Sequence, residues 1–209
     1  MKPPSKTALF EAAKAWDFAA VKSMLAASPA LAKATDPKGR TALHIACAVP
    51  PGGAKLGEPN GIKTVTALLD AGAALEGFVP MDEDERDFRA NPRWYAVSRG
   101  RNLPLVRFLM KRGADASYSL WSVVFQDHAE MCRALLETKP RLDLVAHGET
   151  PIILAAHTKR LKTLPLLIAA GADPTIKDPR GRDAVDIARA RRLPKDVIER
   201  LAALAQRRR

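Results

Sequence analysis

The sequence predicts an all-α protein, a solenoid of stacked helix–turn–helix units joined by short β-hairpin fingers, and three repeated phrases carry that prediction. Asp36-Pro37-Lys38-Gly39-Arg40 returns as Asp178-Pro179-Arg180-Gly181-Arg182. A leucine-rich run closing on Gly-Ala occurs as Leu68-Leu69-Asp70-Ala71-Gly72-Ala73, Leu109-Met110-Lys111-Arg112-Gly113-Ala114 and Leu167-Ile168-Ala169-Ala170-Gly171-Ala172. Thr41-Ala42-Leu43-His44-Ile45-Ala46 is echoed by Thr150-Pro151-Ile152-Ile153-Leu154-Ala155. Self-similarity of this kind marks a repeat architecture, in which each unit leaves an apolar face for its neighbour to cover.

Each phrase has a physical reading. Thr41 and Thr150 stand where a hydroxyl can cap a helix N-terminus, and Pro151 takes a first helical position that has no amide partner to lose. Gly72, Gly113 and Gly171 end leucine-rich helices, where a left-handed residue satisfies loose carbonyls. Asp-x-x-Gly at 36–39 and 178–181 predicts a tight turn at the tip of a finger.

In their order along the chain these phrases resemble the ankyrin family's D-x-x-G-x-T-P-L-H-x-A-A and L-L-x-x-G-A-D, whose period is about 33 residues. The resemblance covers nearly the whole chain as a single domain, 1–209, of six repeats at about 7–31, 36–75, 91–115, 119–137, 148–173 and 178–204. It implies that His44 is a hydrogen-bonding spacer between neighbouring repeats. The first and last repeats are the atypical ends that shield a solenoid core from water, and the last closes on Arg207, Arg208 and Arg209. The fourth departs most from the family: Ser119-Leu120-Trp121-Ser122 replaces the usual phrase, which puts Trp121 at the inward-facing leucine position. Trp94 falls at the histidine position. Packing within or between repeats is the preferred reading of both tryptophans over a base-stacking platform.

Two insertions interrupt the period. Residues 48–60, with Pro50-Pro51-Gly52-Gly53, read as a surface loop between the two helices of the second repeat. Residues 76–90 lengthen the next finger and carry the acidic run Asp82-Glu83-Asp84-Glu85-Arg86-Asp87, a solvated loop or a contact point.

The composition leaves little room for chemistry. Of the 209 residues, 47% are hydrophobic and 27% charged, as in an ordinary soluble protein. No run approaches the roughly 18 apolar residues of a membrane span, and no apolar segment follows the basic start, so the expected location is cytoplasmic, with no membrane partner. Cys47 and Cys132 lie in apolar helical runs and read as buried thiols. The four histidines show no metal-ligand spacing, and no phosphate-binding loop or nucleophile elbow is present. No catalytic residue, metal or cofactor is expected.

The ankyrin resemblance implies a non-catalytic module that binds a protein through a concave face of finger tips and first helices. The family's variable positions fall on Lys38 and Arg40 at one finger and on Arg180 and Arg182 at another. On the first helices they fall on Lys14, Ser98 with Arg99, Gln126 with Asp127, and His157 with Thr158. The set suggests a basic rim with an acidic finger between, borne by a monomer and suited to an acidic protein surface. The formal charge of +11 keeps a nucleic-acid-associated adaptor as the alternative.

Overall fold

Short polar side chains before an apolar run favour a helix start, because their acceptor atoms take up the first free amides. The computed structural model, which describes residues 4–54, 56–80 and 89–208, shows several helices beginning this way. Helix α1 (Lys6–Ala15) starts after Ser5 and α2 (Phe18–Ala27) after Asp17, whose side chains accept from Ala8 N and Ala20 N. Asn91 caps α5 (Pro92–Tyr95), Asn102 caps α6 (Leu103–Lys111), and the imidazole of His128 caps α8 (Ala129–Leu136). Thr150 stands at the N-cap of α9 (Pro151–His157), but its buried hydroxyl has no hydrogen-bond partner. The capping expected of it fails where the apolar Ile153 stands at the place of His44.

The described residues gather into two compact blocks, one before Ala116 and one from Ala116 onward. In the N-terminal block α1, α3 (Ala42–Cys47) and α5 lie side by side as a first layer. Behind them α2, α4 (Glu58–Asp70) and α6 form a second. The C-terminal block has the same plan. Its first layer is α7 (Ser117–Phe125), α9 and α11 (Ala184–Ala190), and its second is α8, α10 (Leu164–Ala169) and α12 (Lys195–Gln206). The first three repeats of the sequence fall in one block and the last three in the other. The 48–60 insertion shortens to 48–57, because α4 begins at Glu58. One two-stranded antiparallel ladder, β1 (Val79–Pro80) with β2 (Arg89–Ala90), forms the base of the lengthened finger. The acidic run 82–87 lies outside the described residues.

Alanine lines the interfaces: Ala12, Ala13, Ala42, Ala46, Ala155, Ala156, Ala184 and Ala188 are all buried, which lets helix axes approach closely. Cys47 and Cys132 are free, buried thiols. Trp16 is fully buried, donates through Nε1 to the Ala46 carbonyl at 2.9 Å, and lies against Gly61 of α4, where a Cβ would come within 2.9 Å of the indole. Arg93 is also fully buried, at the place where the second repeat has Leu43. It donates to the Ala114 carbonyl, while its Nε and Nη2 have no hydrogen-bond partner. Burial pushes its pKa down to about 10 against the opposing pull of Glu76 and Asp115.

The turn between the paired helices is built alike in several repeats. A non-glycine residue in the left-handed region stands directly before the cap of the second helix: Trp16 before Asp17, Arg101 before Asn102, Asp127 before His128. Lys159 and Arg192 take the same conformation after α9 and α11. These five residues give an internal ruler for aligning the repeats. By it Leu120, fully buried, takes the inward leucine position, and Trp121 is only half-buried. The expected register of the fourth repeat is therefore one residue out, because α7 begins after Ala116 with no capping side chain to mark its start. Trp94 is buried, as expected of the histidine position.

His44 joins neighbouring repeats. Thr41 N–H donates to its Nδ1 at 3.1 Å, so the proton sits on Nε2, which donates to the Gly77 carbonyl at 2.8 Å. Burial is the main cause of a pKa below the usual 6.5. The unfolded chain therefore binds this proton first, and the neutral imidazole's contribution to stability is full above pH 6.5 and declines as pH falls toward the folded value. The melting temperature should begin to drop below that pH, and His44→Gln should remove this part of the profile. Gly113, at φ +87° with nothing within 4 Å of a built Cβ, isolates backbone strain from crowding. Gly113→Val should cost about 1 kcal/mol or more in chemical denaturation.

Candidate binding surfaces

The repeated Asp-Pro-basic-Gly-Arg phrase forms the same turn twice. Asp36 N donates to the Arg40 carbonyl at 2.9 Å, and Gly39 N donates to the Asp36 carbonyl at 2.9 Å. Asp36 Oδ1 accepts the amides of Lys38 and Arg40, and Oδ2 accepts both Nε and Nη2 of Arg40 at 2.7 Å. Asp178 repeats the pattern, its Oδ1 taking the amides of Arg180 and Arg182 and its Oδ2 the Arg182 fork at 3.0 and 2.7 Å. Burial acts to raise both carboxyls, but the hydrogen bonds from Arg40 and Lys38, and from Arg182 and Arg180, outweigh it and hold both pKa values below the usual 3.8. Two of the four rim cations, Arg40 and Arg182, are thus half-buried braces of their own turns, not the exposed charges the sequence suggested. Lys38 and Arg180, at the tips, are exposed.

In the N-terminal block a groove of about 350 Å³ runs between the first helices and this turn, lined by Lys6, Thr7, Phe10, Glu11, Lys14, Asp36, Pro37, Arg40 and Ile45. It brings Lys14 and Arg40 to one place, with Lys38 beside it on the turn. Lys14 is exposed, while Lys6 Nζ donates to the Thr35 carbonyl at 3.0 Å. The groove offers an apolar floor, Phe10 and Ile45, under a mostly cationic rim. Ser98 and Arg99 lie apart from it on a π-helical turn, Ala96–Gly100, that continues α5. Arg99 is exposed and Ser98 half-buried.

In the C-terminal block the nominated residues are largely committed. Asp127 accepts from Lys162 N, Thr163 N and Thr163 Oγ1, so it tethers the start of α10. Thr158 Oγ1 donates to the Leu154 carbonyl at 2.7 Å, and Gln126 reaches Ser122 Oγ at 3.3 Å. His157 pairs with Glu149 at 2.7 Å. Arg208 of the basic C-terminus pairs with Asp173 and donates to the Gly171 carbonyl. Arg209 lies outside the described residues.

Sequence reasoning missed a cluster of rings here. Trp121 stacks on Phe125 with centroids 5.8 Å apart and planes 4° from parallel, and it meets the His147 ring at 4.9 Å. The guanidinium of Arg160 lies over Phe125 at 5.4 Å. The left-handed residues, which the backbone reveals and the sequence does not mark, fix the alignment that exposes it. The place two residues before them holds Lys14, Arg99, Phe125, His157 and Ala190, so Phe125, not Gln126, is the fourth repeat's counterpart of His157.

Comparison with known proteins agrees with this architecture. A model described as ankyrin repeats, in three copies, matches residues 93–178. The chain resembles a crystal structure of the ankyrin repeat protein EF0377, with a TM-score of 0.70, 25% identity, and coverage of 95% of this chain and 98% of that one. The chain has the ankyrin-repeat fold, and residues 93–178 match the repeats themselves. An ankyrin repeat domain from Acinetobacter baumannii AYE gives a TM-score of 0.73 at 23% identity, covering 96% and 98% of the two chains. A chain from the solved structure of a predatory endopeptidase from Bdellovibrio bacteriovorus in complex with an immunity protein gives 0.67 at 22%, covering 94% and 97%. No curated protein matches the sequence.

Ankyrin repeats are in general protein–protein interaction modules without catalytic activity. Among the described residues no His, Cys, Asp and Glu grouping is suited to hold a metal ion, and no helix is long and apolar enough to cross a membrane. The ankyrin turns make a sharp prediction about their cations. Lys38→Glu and Arg180→Glu should leave the melting temperature nearly unchanged, since exposed charges contribute little. Arg40→Glu and Arg182→Glu, which set a carboxylate against Asp36 or Asp178, should lower it measurably in the same thermal melts.

Proposed function

We propose that this ankyrin protein is a non-catalytic cytoplasmic monomer that docks a protein partner with an acidic surface, through its finger turns and first helices. The observation that carries the reading is the N-terminal groove. Lys14 and Arg40 line a groove with an apolar floor, Lys38 is exposed on the adjoining turn, and the cations Lys14 and Lys38 can steer and orient a carboxylate-rich surface. Arg180 would act in the same way at its own turn. Arg99 and His157 occupy equivalent variable positions and are secondary contacts. Gln126, Ser98 and Thr158 would contribute polar contacts at the margin, and Asp127 would act only through the turn it tethers. The Bdellovibrio structure contains a protein–protein complex, and a protein-docking role here agrees with it.

A nucleic-acid-associated role is favoured by one observation, the formal charge of +11. Ion pairs leave that net charge unchanged, but they fix several of its cations in the fold's own turns instead of on a free face: Arg40, Arg182 and Arg208 pair with Asp36, Asp178 and Asp173, and Lys177 with Asp183. We therefore rank it second.

The test compares wild-type chain with Lys14→Glu/Lys38→Glu in pull-downs from cytosol, read by quantitative mass spectrometry, alongside a salt titration against random duplex DNA. The expected result is a specific protein captured about tenfold less by the variant, a loss of roughly 1.4 kcal/mol. Equal capture by both proteins would remove the groove from the proposal. DNA binding with a log–log salt slope near −0.9 per phosphate contact, and no specific protein, would favour the second reading.

A further inference from the structure

Phe125 is hard to account for within the fold. It is the most exposed of the large hydrophobic residues among the described part of the chain, at 52%. It stands at a surface position that other repeats fill with Lys14, Arg99, His157 and Ala190, so packing does not require an aromatic there. Yet it is held in place: Trp121 stacks flat on it and Arg160 lies over its ring. Through Trp121 the cluster reaches His147 in the tight turn at residues 146–149. Val145 and Leu161, 49% and 44% exposed, sit on the two segments the cluster joins.

Arg160 supplies the second half of the observation. Its Nε is buried without a hydrogen-bond partner, and no carboxylate pairs with its guanidinium among the described residues. The acids nearby are occupied. Asp127 holds Lys162 and Thr163, and Glu149 holds His157. A cation kept partly out of water beside rigid rings, and without a counter-charge, is electrostatically incomplete. Ring faces and an arginine are also the side chains that most often dominate binding energy at protein interfaces.

We propose that Trp121, Phe125 and Arg160 form the anchor point for a partner protein segment that presents a carboxylate next to an apolar side chain. The apolar side chain covers the Phe125 ring edge, and the carboxylate completes an ion pair with Arg160. This rests on the reading that the protein docks a protein partner, but it assigns the dominant contact to the C-terminal block and not to the groove of Lys14 and Lys38.

The test uses a phage-displayed random-peptide library selected against the full chain, followed by titration of the selected peptides as synthetic copies. The expected result is enrichment of peptides with Asp or Glu beside Leu, Phe or Trp. Phe125→Ser and Arg160→Gln should each weaken their binding by roughly tenfold or more. Phe125→Ser removes a solvent-exposed side chain, so an unchanged melting temperature shows that the loss is local. Trp16 and Trp94 are buried whereas Trp121 is half-exposed, so a bound peptide should also reduce acrylamide quenching of tryptophan fluorescence. An empty selection, or enriched peptides lacking acidic residues, overturns the proposal. Peptides that tolerate both variants but are lost on Lys14→Glu/Lys38→Glu overturn it while leaving the broader docking role intact. Oligothymidylate binding that depends on Phe125 reassigns the cluster to nucleic acid and overturns it as well.

Discussion

A helix of six residues does not hold itself together in water, since so few hydrogen bonds cannot offset the cost of starting it. Helices α3 and α10 are of that length, and their persistence depends on lateral burial against the neighbouring helix pair. The other features serve this requirement. Buried alanines let the layers close up, and left-handed residues reverse the chain within a single residue. His44 ties the start of one repeat to the finger of the next, so that capping and stacking are one hydrogen-bonded unit. Where a repeat lacks such a device, another takes its place: in the third, Arg93 reaches the Ala114 carbonyl from the position of a leucine.

The same economy governs the charges. A basic sequence invites the view that its arginines are available to a partner, yet the finger turns use theirs to neutralise an aspartate of the turn, half-buried at Asp36 and buried at Asp178. The residues left over are those whose side chains the fold does not need. They are few, they are exposed, and in the N-terminal block they border an apolar groove. Interaction surface and structural surface are separated residue by residue within one five-residue phrase.

The architecture was legible because its signals are backbone signals. Gly72, Gly113 and Gly171 do occupy left-handed positions, and Asp36 and Asp178 do close tight turns, since those conformations restrict residue type strongly. The candidate site was less legible. That Arg40 and Arg182 point back to their own aspartates depends on side-chain geometry that composition does not encode. The register of the fourth repeat slipped by one because α7 starts without a Thr-Pro or a capping side chain, and that single shift hid Phe125 behind Gln126. Thr150 failed in the opposite sense, with the expected residue present and its polar partner missing. Arg93 could not have been anticipated from apolar patterning, which offers no reason to bury a guanidinium.

The self-braced finger turn has a consequence for how such a protein diversifies. The aspartate uses the backbone amide of Lys38 or Arg180, not the side chain. Any residue with an amide hydrogen satisfies the turn equally, and proline alone is barred. The tip is therefore close to neutral ground for folding, open to substitution by acid, base, aromatic or amide without a compensating change elsewhere. A lineage carrying this turn can sample new recognition chemistry one codon at a time, each step reversible and none passing through an unfolded intermediate.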